Sequence, residues 1–347
     1  MKYLASTNVD RLSRRDFLKL TAGLGLSAAG MTLLNACGIQ PAPSTETLET
    51  TTIKIPRVPT ICVAPQYLAE DLLKSEGFTD VQYVKMPTGQ VIKNLVSGEV
   101  NIALYFGAPS LVQIAKGTPI TLLGGVHVGC FKLFGSDQVR TIADLRGKTV
   151  AVTELGGTDH VFLSVFAAYV GLDPNKDINW TAHPVAESKQ LFTDGKIDGF
   201  LAFPPLAQEL EDKKIGHVVL DSMMDKPWSQ YFCCLVTASW DFVQNNPVAT
   251  KRALRALLQA SDICALQPEK AARFVVDKGF TDNYDYAFAA MQQIPYNVWR
   301  EYDPEDTLRF YALQLHDAGM IKSSPDEIIT KGTDWHFLDE LKVELKG

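Results

Sequence analysis

After residue 51, short apolar segments alternate with amphipathic segments that end at glycine, and this alternation limits the possible folds more than any other feature. Helical segments end at glycines such as Gly77, Gly98 and Gly171. Strand and helix in alternation are typical of right-handed crossovers between parallel strands. The sequence therefore predicts two α/β units in series, each a mostly parallel sheet flanked by helices. The predicted strands lie at 53–55, 81–84, 102–105 and 120–123 in the first unit, and at 148–152, 178–180, 200–203 and 217–220 in the second.

Two longer extended segments, 126–134 and 231–237, enclose the second unit. A unit inserted between two crossing strands is expected to form a lobe attached to the first lobe by a double hinge. After Trp240 the pattern becomes helical, with Asn246 and Ser324 as expected helix caps, and these helices are expected to pack on the first lobe. The predicted division is lobe 1 at 52–127 and 236–347, and lobe 2 at 128–235.

The N-terminal segment predicts where the protein works. Ser13-Arg14-Arg15-Asp16-Phe17-Leu18-Lys19 resembles a twin-arginine export signal, and the apolar stretch 20–34 that follows is shorter than the roughly 20 residues of a spanning helix. Leu34-Asn35-Ala36-Cys37 resembles a lipoprotein cleavage site. We therefore expect a signal peptide at 1–36, lipid on Cys37 and a flexible tether at 37–51. The alternative is an uncleaved anchor helix, which would also place the body outside the cytoplasm, at the outer side of the cytoplasmic membrane or in the periplasm.

The charge of the body argues against nucleic acid as a partner. The whole chain has a formal charge of −7, and residues 1–36 contain five basic and two acidic side chains, so their removal leaves −10. Binding to phosphates depends on clustered lysine and arginine, and no basic stripe occurs in the sequence.

Five cysteines remain after Cys37, and their odd number and spacing are not typical of a disulfide framework or a zinc site. The six histidines are scattered, so the sequence predicts no metal site and no cofactor. Most of the cysteines are expected to be buried as small apolar side chains. One pairing remains open, Cys130 with Cys233 or Cys234, because both segments are extended and could run side by side. The five are Cys62, Cys130, Cys233, Cys234 and Cys264.

Three sequence segments carry a resemblance to a known family. They are Leu95-Val96-Ser97-Gly98-Glu99-Val100-Asn101-Ile102-Ala103, Ile142-Ala143-Asp144-Leu145-Arg146-Gly147-Lys148-Thr149-Val150-Ala151-Val152 and Leu191-Phe192-Thr193-Asp194-Gly195-Lys196-Ile197-Asp198-Gly199-Phe200. In this order they resemble substrate-binding proteins of ABC importers for nitrate, sulfonates, taurine, thiamin pyrimidine precursors and riboflavin. The resemblance covers residues from about 52 to 335. It implies a monomer with a two-lobed periplasmic-binding-protein-like fold of type II, which closes over a small molecule and docks on a permease with its ATPase.

Candidate ligand-binding residues lie in the turns that follow the predicted strands. The turn at 153–158 could direct backbone N–H groups and a helix N-terminus at a polar ligand, or could be an ordinary strand-to-helix turn. The resemblance implies that the turn at 106–110 contacts ligand. Aromatic side chains near strand ends could stack on a flat ring, although each could equally belong to the core. The candidates are Gln66, Tyr67, Phe106, Gly107, Ala108, Ser110, His127, Thr153, Glu154, Thr158, Phe203, Trp228 and Tyr231.

These turns contain Glu154 but no arginine or lysine, so a small anion would be repelled by about 1 kcal/mol or more in a partly dry cleft. The sequence thus favours an uncharged heterocycle, such as a pyrimidine precursor or riboflavin, over nitrate, taurine or an aliphatic sulfonate, which remain the alternative. One branch of the same superfamily is a pyrimidine synthase that uses pyridoxal phosphate. Phe232-Cys233-Cys234 resembles part of its cysteine-rich motif, but the longer run is absent, so we expect no catalytic residues. A receptor-coupled sensor with the same fold stays open.

Overall fold

The computed structural model describes residues 46–345, in which ten strands alternate with fourteen α-helices. The predicted export signal and the lipidation site Cys37 lie outside the described residues. The strands are β1 (Thr52–Arg57), β2 (Asp80–Lys85), β3 (Ile102–Phe106), β4 (Ile120–Val128), β5 (Lys132–Gly135), β6 (Thr149–Val152), β7 (Asn179–Ala182), β8 (Gly199–Ala202), β9 (His217–Asp221) and β10 (Phe232–Ser239).

The helices occupy the segments between the strands and most of the C-terminal third. They are α1 (Ala64–Leu68), α2 (Glu70–Ser75), α3 (Val91–Val96), α4 (Gly107–Ala115), α5 (Thr158–Tyr169), α6 (Val185–Thr193), α7 (Leu206–Asp212), α8 (Trp240–Asn245), α9 (Pro247–Leu266), α10 (Pro268–Asp277), α11 (Tyr284–Gln293), α12 (Pro304–Asp317), α13 (Pro325–Gly332) and α14 (His336–Glu344). The predicted alternation is confirmed. Gly77 and Gly98 follow α2 and α3 with φ of +106° and +72°, a conformation that glycine adopts without steric cost.

The strands form three sheets, with the orders β1-β2, β3-β10-β4 and β7-β6-β8-β5-β9. The pairs β1-β2, β6-β7 and β6-β8 are parallel, as crossovers require. The other four pairs are antiparallel, and each contains β5 or β10. The two-stranded sheet is therefore parallel, the three-stranded sheet antiparallel and the five-stranded sheet mixed. The antiparallel pairs arise because β5 and β10 belong to the two long extended segments that enter and leave the second unit.

The first of these segments is divided between two sheets. Strand β4 ends at Val128 and β5 begins at Lys132, with Gly129 at φ +41° between them. The turn is held by Ser222, whose Oγ donates to Phe131 O at 2.6 Å and accepts from the N–H groups of Cys130 and Phe131. The five-stranded sheet contains only strands from 132–221. The lobe boundaries at 127/128 and 235/236 stay a prediction.

The C-terminal helices pack on elements of the first unit. Helix α9 contacts α1, α2 and β4, and α13 contacts α4. Leu254, Leu257 and Leu258 of α9 are buried, as the helical spacing of apolar residues predicts. Helix α12 also contacts α5, so it reaches the second unit. Within 46–345, no helix combines the length and the apolar character needed to cross a membrane.

Helix α9 begins at Pro247, but its N-terminal cap differs from the predicted one. The Asn246 side chain donates to Phe242 O instead of accepting from the helix. The Glu49 carboxylate takes that role and accepts from the N–H groups of Val248 and Ala249 at 3.0 Å each. Glu49, in the C-terminal part of the expected tether, is thus bonded to the first turn of α9. A carboxylate is favoured at a helix N-terminus. The Ser324 cap is confirmed, with its side chain accepting from Glu327 N at 3.2 Å.

Replacing Glu49 by alanine is expected to lower the free energy of unfolding by about 1 kcal/mol, since two N–H groups of α9 lose their acceptor. Urea unfolding followed by circular dichroism measures the change. Glu46→Ala is the matched control, because Glu46 contacts Arg252 through its backbone carbonyl, which the substitution keeps. Equal midpoints for the Glu49 variant and the control would contradict the capping role.

Candidate functional site

A cavity of about 440 Å³ lies where the turns after several strands meet. One side is built by turns after β1 and β2 and by the end of β3, and contains Pro59, Thr60, Pro87, Gly89, Gln90 and Phe106. The other side is built by turns after β6, β7 and β8, and contains Thr153, Glu154, Thr158, Asp159, Val185 and Phe203. The carboxyl ends of strands are where open α/β sheets bind ligands. The cavity volume lies in the range of about 300–1,000 Å³ that is usual for small-molecule sites.

The two sides of the cavity touch at its edge. The Thr60 hydroxyl donates to Pro204 O at 3.1 Å, so the turn after β1 is bonded directly to the turn after β8. Gly89 faces Glu154 closely enough that a Cβ added there would lie 3.0 Å from Glu154 Oε1. A solute in the cavity would therefore contact residues attached to both the first and the second unit.

The carboxylate of Asp159 occupies the N-terminal turn of α5. It accepts from Thr153 N at 2.6 Å, from Thr153 Oγ1 at 3.0 Å and from His160 N at 2.9 Å. Burial raises the pKa of Asp159, although the two bonds from Thr153 oppose the shift. The N-terminus of α5 thus already interacts with the negative charge of Asp159 in the same helix. Its positive end is therefore less available to an anionic ligand.

Two phenyl rings belong to the apolar part of the cavity, together with Val185, Leu201 and Leu206. Phe106 and Phe203 meet edge to face with ring centroids 5.2 Å apart. Phe106 is buried, and Phe203 is half-buried and packs against Phe131 with centroids 5.5 Å apart. A planar ring could stack on these side chains. Among the described residues that line the cavity there is no lysine or arginine, so the charged groups are the two carboxylates of Glu154 and Asp159.

Five of the thirteen candidate ligand residues line this cavity: Phe106, Thr153, Glu154, Thr158 and Phe203. Gly107, Ala108 and Ser110 lie just behind Phe106, buried in the first turns of α4. The Ser110 hydroxyl donates to Phe106 O at 2.8 Å, which satisfies it within the helix. The turn at 106–110 therefore reaches the cavity through Phe106.

Gln66 and Tyr67 lie in the core and not in the cavity. The Gln66 side chain donates to Pro56 O at 2.7 Å and accepts from Leu104 N at 3.0 Å, so it bridges β1 and β3. The Tyr67 hydroxyl exchanges hydrogen bonds with the backbone of Val58, at 3.0 Å to N and to O. Both side chains are fully buried. Their polar atoms are satisfied there by backbone groups of β1, of β3 and of Val58.

Trp228 and Tyr231 belong to an aromatic cluster away from the cavity. Trp228 is buried against Phe166, with ring centroids 4.4 Å apart. Tyr231 stacks on Phe310 of α12 at 3.9 Å. Packing between the second unit and α12 accounts for both rings.

His127 lies in the core beside most of the cysteines. Within 46–345 the five cysteines are buried and free, and the sulfurs of Cys130 and Cys233 lie 3.3 Å apart. One of the two pairings that the sequence leaves open is therefore in contact, but without a disulfide bond. Burial raises the pKa of Cys130, which favours the uncharged thiol. Cys264 lies outside this group, and burial raises its pKa as well.

The candidate set includes Gln66 and Tyr67 after β1 but omits the residues of the turns after β1 and β2 that line the cavity, and it omits Asp159. Pro59, Thr60 and Gly89 follow the carboxyl ends of two parallel strands, so the rule that selected the turn after β6 could have found them. Asp159 was one residue beyond Thr158, and an acidic residue in the first turn of a helix is a visible signal.

Comparison with known proteins agrees with this architecture. The model of the NMT1-like family matches residues 46–276. The nitrate/nitrite binding protein NrtA of Nostoc sp. PCC 7120 is 22% identical over 298 residues, which are 73% of this chain and 67% of that protein. The 4-amino-5-hydroxymethyl-2-methylpyrimidine phosphate synthase THI12 of Saccharomyces cerevisiae is 25% identical over 265 residues, covering 69% of this chain and 77% of the yeast protein.

The crystal structure of the periplasmic nitrate-binding protein NrtA from Synechocystis PCC 6803 superposes with a TM-score of 0.72 at 18% identity, over 87% of this chain and 90% of that one. The strand-end cavity and this superposition define a protein with the periplasmic-binding-protein-like fold. Because the family model covers more than half of the sequence, the chain belongs to the NMT1-like family.

Proposed function

We propose that this protein is the solute-binding subunit of an ABC importer, which captures a small molecule in the cavity and delivers it to a permease with its ATPase. The observation that carries the proposal is a cavity of small-molecule size, lined by turns that follow the carboxyl ends of strands in separate sheets. The names of the NrtA relatives, which are nitrate/nitrite binding proteins, support the same class.

The proposed mechanism is closure of two lobes over the solute. Lobe 1 (52–127 and 236–347) carries Thr60 and Gly89, and lobe 2 (128–235) carries Glu154 and Phe203. The segments 126–134 and 231–237 act as hinges, and a solute that contacts both lobes stabilises the closed population. Opening breaks the bond from Thr60 to Pro204, which frees the entrance for release.

The proposed ligand is an uncharged heterocycle with ring donors, such as a pyrimidine precursor or riboflavin. Glu154 and Asp159 accept hydrogen bonds, the Phe106 and Phe203 rings offer apolar surface, and an anion would meet two carboxylates without a lysine or arginine in the described lining. Nitrate, taurine or an aliphatic sulfonate is the alternative, which the names of the NrtA relatives favour.

We propose binding and not catalysis. The yeast relative is named as a synthase, but the described lining of the cavity contains no lysine to form a Schiff base and no histidine. The proposed setting is extracytoplasmic, with export by the twin-arginine route, lipid on Cys37 as the membrane anchor, and a monomeric body.

Isothermal titration calorimetry tests the ligand class. The expected result is saturable binding of 4-amino-5-hydroxymethyl-2-methylpyrimidine or of riboflavin, with no saturable heat from nitrate, taurine or an alkanesulfonate. Glu154→Gln removes one negative charge without changing size and is expected to weaken binding of the heterocycle while leaving the fold intact, because Glu154 is exposed. Saturable binding of an anion alone would overturn the ligand class but keep the importer role. Binding of none of the five compounds by folded protein would count against both.

A further inference from the structure

Four side chains distant in sequence meet in the core near the turn between β4 and β5. They are Cys62, His127, Cys130 and Cys234, and all four are fully buried. One ligand atom from each residue lies within 4.8 Å of the corresponding atoms of the other three. His127 and Cys234 are directly opposite each other in the antiparallel pair of β4 and β10, so the sheet itself holds two of them together.

The imidazole of His127 is oriented as a metal ligand is. Its Nδ1 lies 3.0 Å from Gly129 O and 3.3 Å from Val128 O, and therefore carries the proton and donates to backbone carbonyls. Its Nε2 is buried and has no hydrogen-bond partner among the described residues. A buried polar atom without a partner costs free energy. Metal-bound histidine usually donates its second ring N–H to a carbonyl or carboxylate, which is the arrangement seen for Nδ1.

The four donor atoms are three sulfurs and one imidazole nitrogen, which is enough to complete a tetrahedral site. Three thiolates and one imidazole are a common ligand set for structural zinc, with about 2.3 Å from zinc to sulfur and about 2.0 Å to nitrogen. Tetrahedral ligands at these distances lie about 3.5–3.8 Å apart. The present separations of up to 4.8 Å therefore need to shorten by about 1 Å. Four protein donors leave no open position, which is typical of a structural site and not of a catalytic one.

We propose that Cys62, His127, Cys130 and Cys234 bind one thiophilic divalent metal ion of the zinc class. Binding releases the thiol protons of the three cysteines to solvent, and the ion bonds to three sulfurs and to His127 Nε2. The ion would link the turn after β1 to β4 and β10. It would lie behind the cavity, since the Thr60 hydroxyl, which lines the cavity, is 3.2 Å from the Cys62 sulfur.

Cys233 offers the competing chemistry. Its sulfur is 3.3 Å from that of Cys130. Molecular oxygen could take up the two thiol hydrogens, forming hydrogen peroxide, and so join the two sulfurs in a disulfide that removes Cys130 from the metal site. The two states exclude each other. The proposal therefore requires Cys130 to be a metal-bound thiolate and not half of a disulfide with Cys233.

Cobalt(II) is the probe, because it replaces zinc and absorbs visible light strongly when thiolates bind it tetrahedrally. The full chain is reduced, unfolded, refolded anaerobically with cobalt(II) and desalted. The expected result is one retained cobalt per chain, visible tetrahedral bands and a near-ultraviolet sulfur-to-cobalt band, all lost on exchange with zinc. Cys62→Ser and Cys234→Ser are expected to lose these bands. Cys264→Ser is the matched control and is expected to keep them, since Cys264 is equally buried but outside the group.

The wild-type protein and the Cys264→Ser control decide the matter even if the other variants do not fold. Folded wild-type protein that retains no cobalt or zinc overturns the proposal. So does a native mass two hydrogens below that of the reduced chain with Cys130 and Cys233 linked in the same peptide fragment. Solute binding is measured separately, so failure of the metal site leaves the proposed importer role untouched.

Discussion

Tryptophan in place of Gly89 is expected to raise the Kd of the bound solute about 100-fold or more, which corresponds to about 2.7 kcal/mol. Gly89 lines the cavity opposite Glu154, and even a single carbon added there would lie 3.0 Å from Glu154 Oε1. An indole would fill space that the solute occupies and would hold apart the turns that close over it. Gly89 is exposed, so the larger side chain does not disturb the core.

Gly89→Ala is the matched control at the same position. Its methyl group meets only the end of the flexible Glu154 side chain, which can move by the few tenths of an ångström required. We expect a change in Kd of less than about fivefold, or roughly 1 kcal/mol. Calorimetry with the compound that the wild type binds measures both variants. Unchanged affinity in the tryptophan variant would place the solute somewhere else.

Alanine in place of Gly129 is expected to lower the free energy of unfolding by more than about 3 kcal/mol. Gly129 has φ of +41°, and a Cβ there would lie 2.3 Å from Ser222 O and 2.4 Å from Ser222 C. These are backbone atoms in the segment after β9, so they cannot move without breaking the bonds between Ser222 and Phe131. The turn that carries the chain from one sheet to the other would have to change.

Gly147→Ala separates the clash from the cost of the backbone conformation. Gly147 has φ of +74°, but a Cβ added there meets nothing within 4 Å. This control is expected to lose only about 1 kcal/mol, from the positive φ alone. Urea unfolding of the two variants and the wild type gives the comparison. Equal losses at the two positions would show that the turn at Gly129 tolerates a side chain.

Local signals in the sequence account for most of the secondary structure. Apolar segments of strand length and glycines such as Gly98 mark where each element ends, and these depend on neighbours in the chain. The pairing of β5 and β10 was harder to predict. Both are extended and apolar in sequence, but their antiparallel direction depends on the route of the chain between sheets.

The part of the candidate site that could be predicted from the sequence follows one rule, that ligands bind beyond the carboxyl ends of strands. Thr153, Glu154 and Phe203 follow the carboxyl ends of strands and line the cavity. Gln66 follows a strand as well, yet it lies in the core because its amide bonds to Pro56 and Leu104, and the second partner is remote in the sequence. The same limit applies to the buried cysteines, since only the register of β4 and β10 places Cys234 opposite His127.

Native mass spectrometry on the wild type and on Gly89→Trp tests the central claim, capture of a single solute in this cavity, most directly. Each protein is incubated with an equimolar pool of 4-amino-5-hydroxymethyl-2-methylpyrimidine, riboflavin, taurine and nitrate, then desalted. The account predicts that the wild type carries one molecule of one heterocycle and that the tryptophan variant carries none. A wild type that retains nothing, or two proteins that retain the same compound equally, would contradict it.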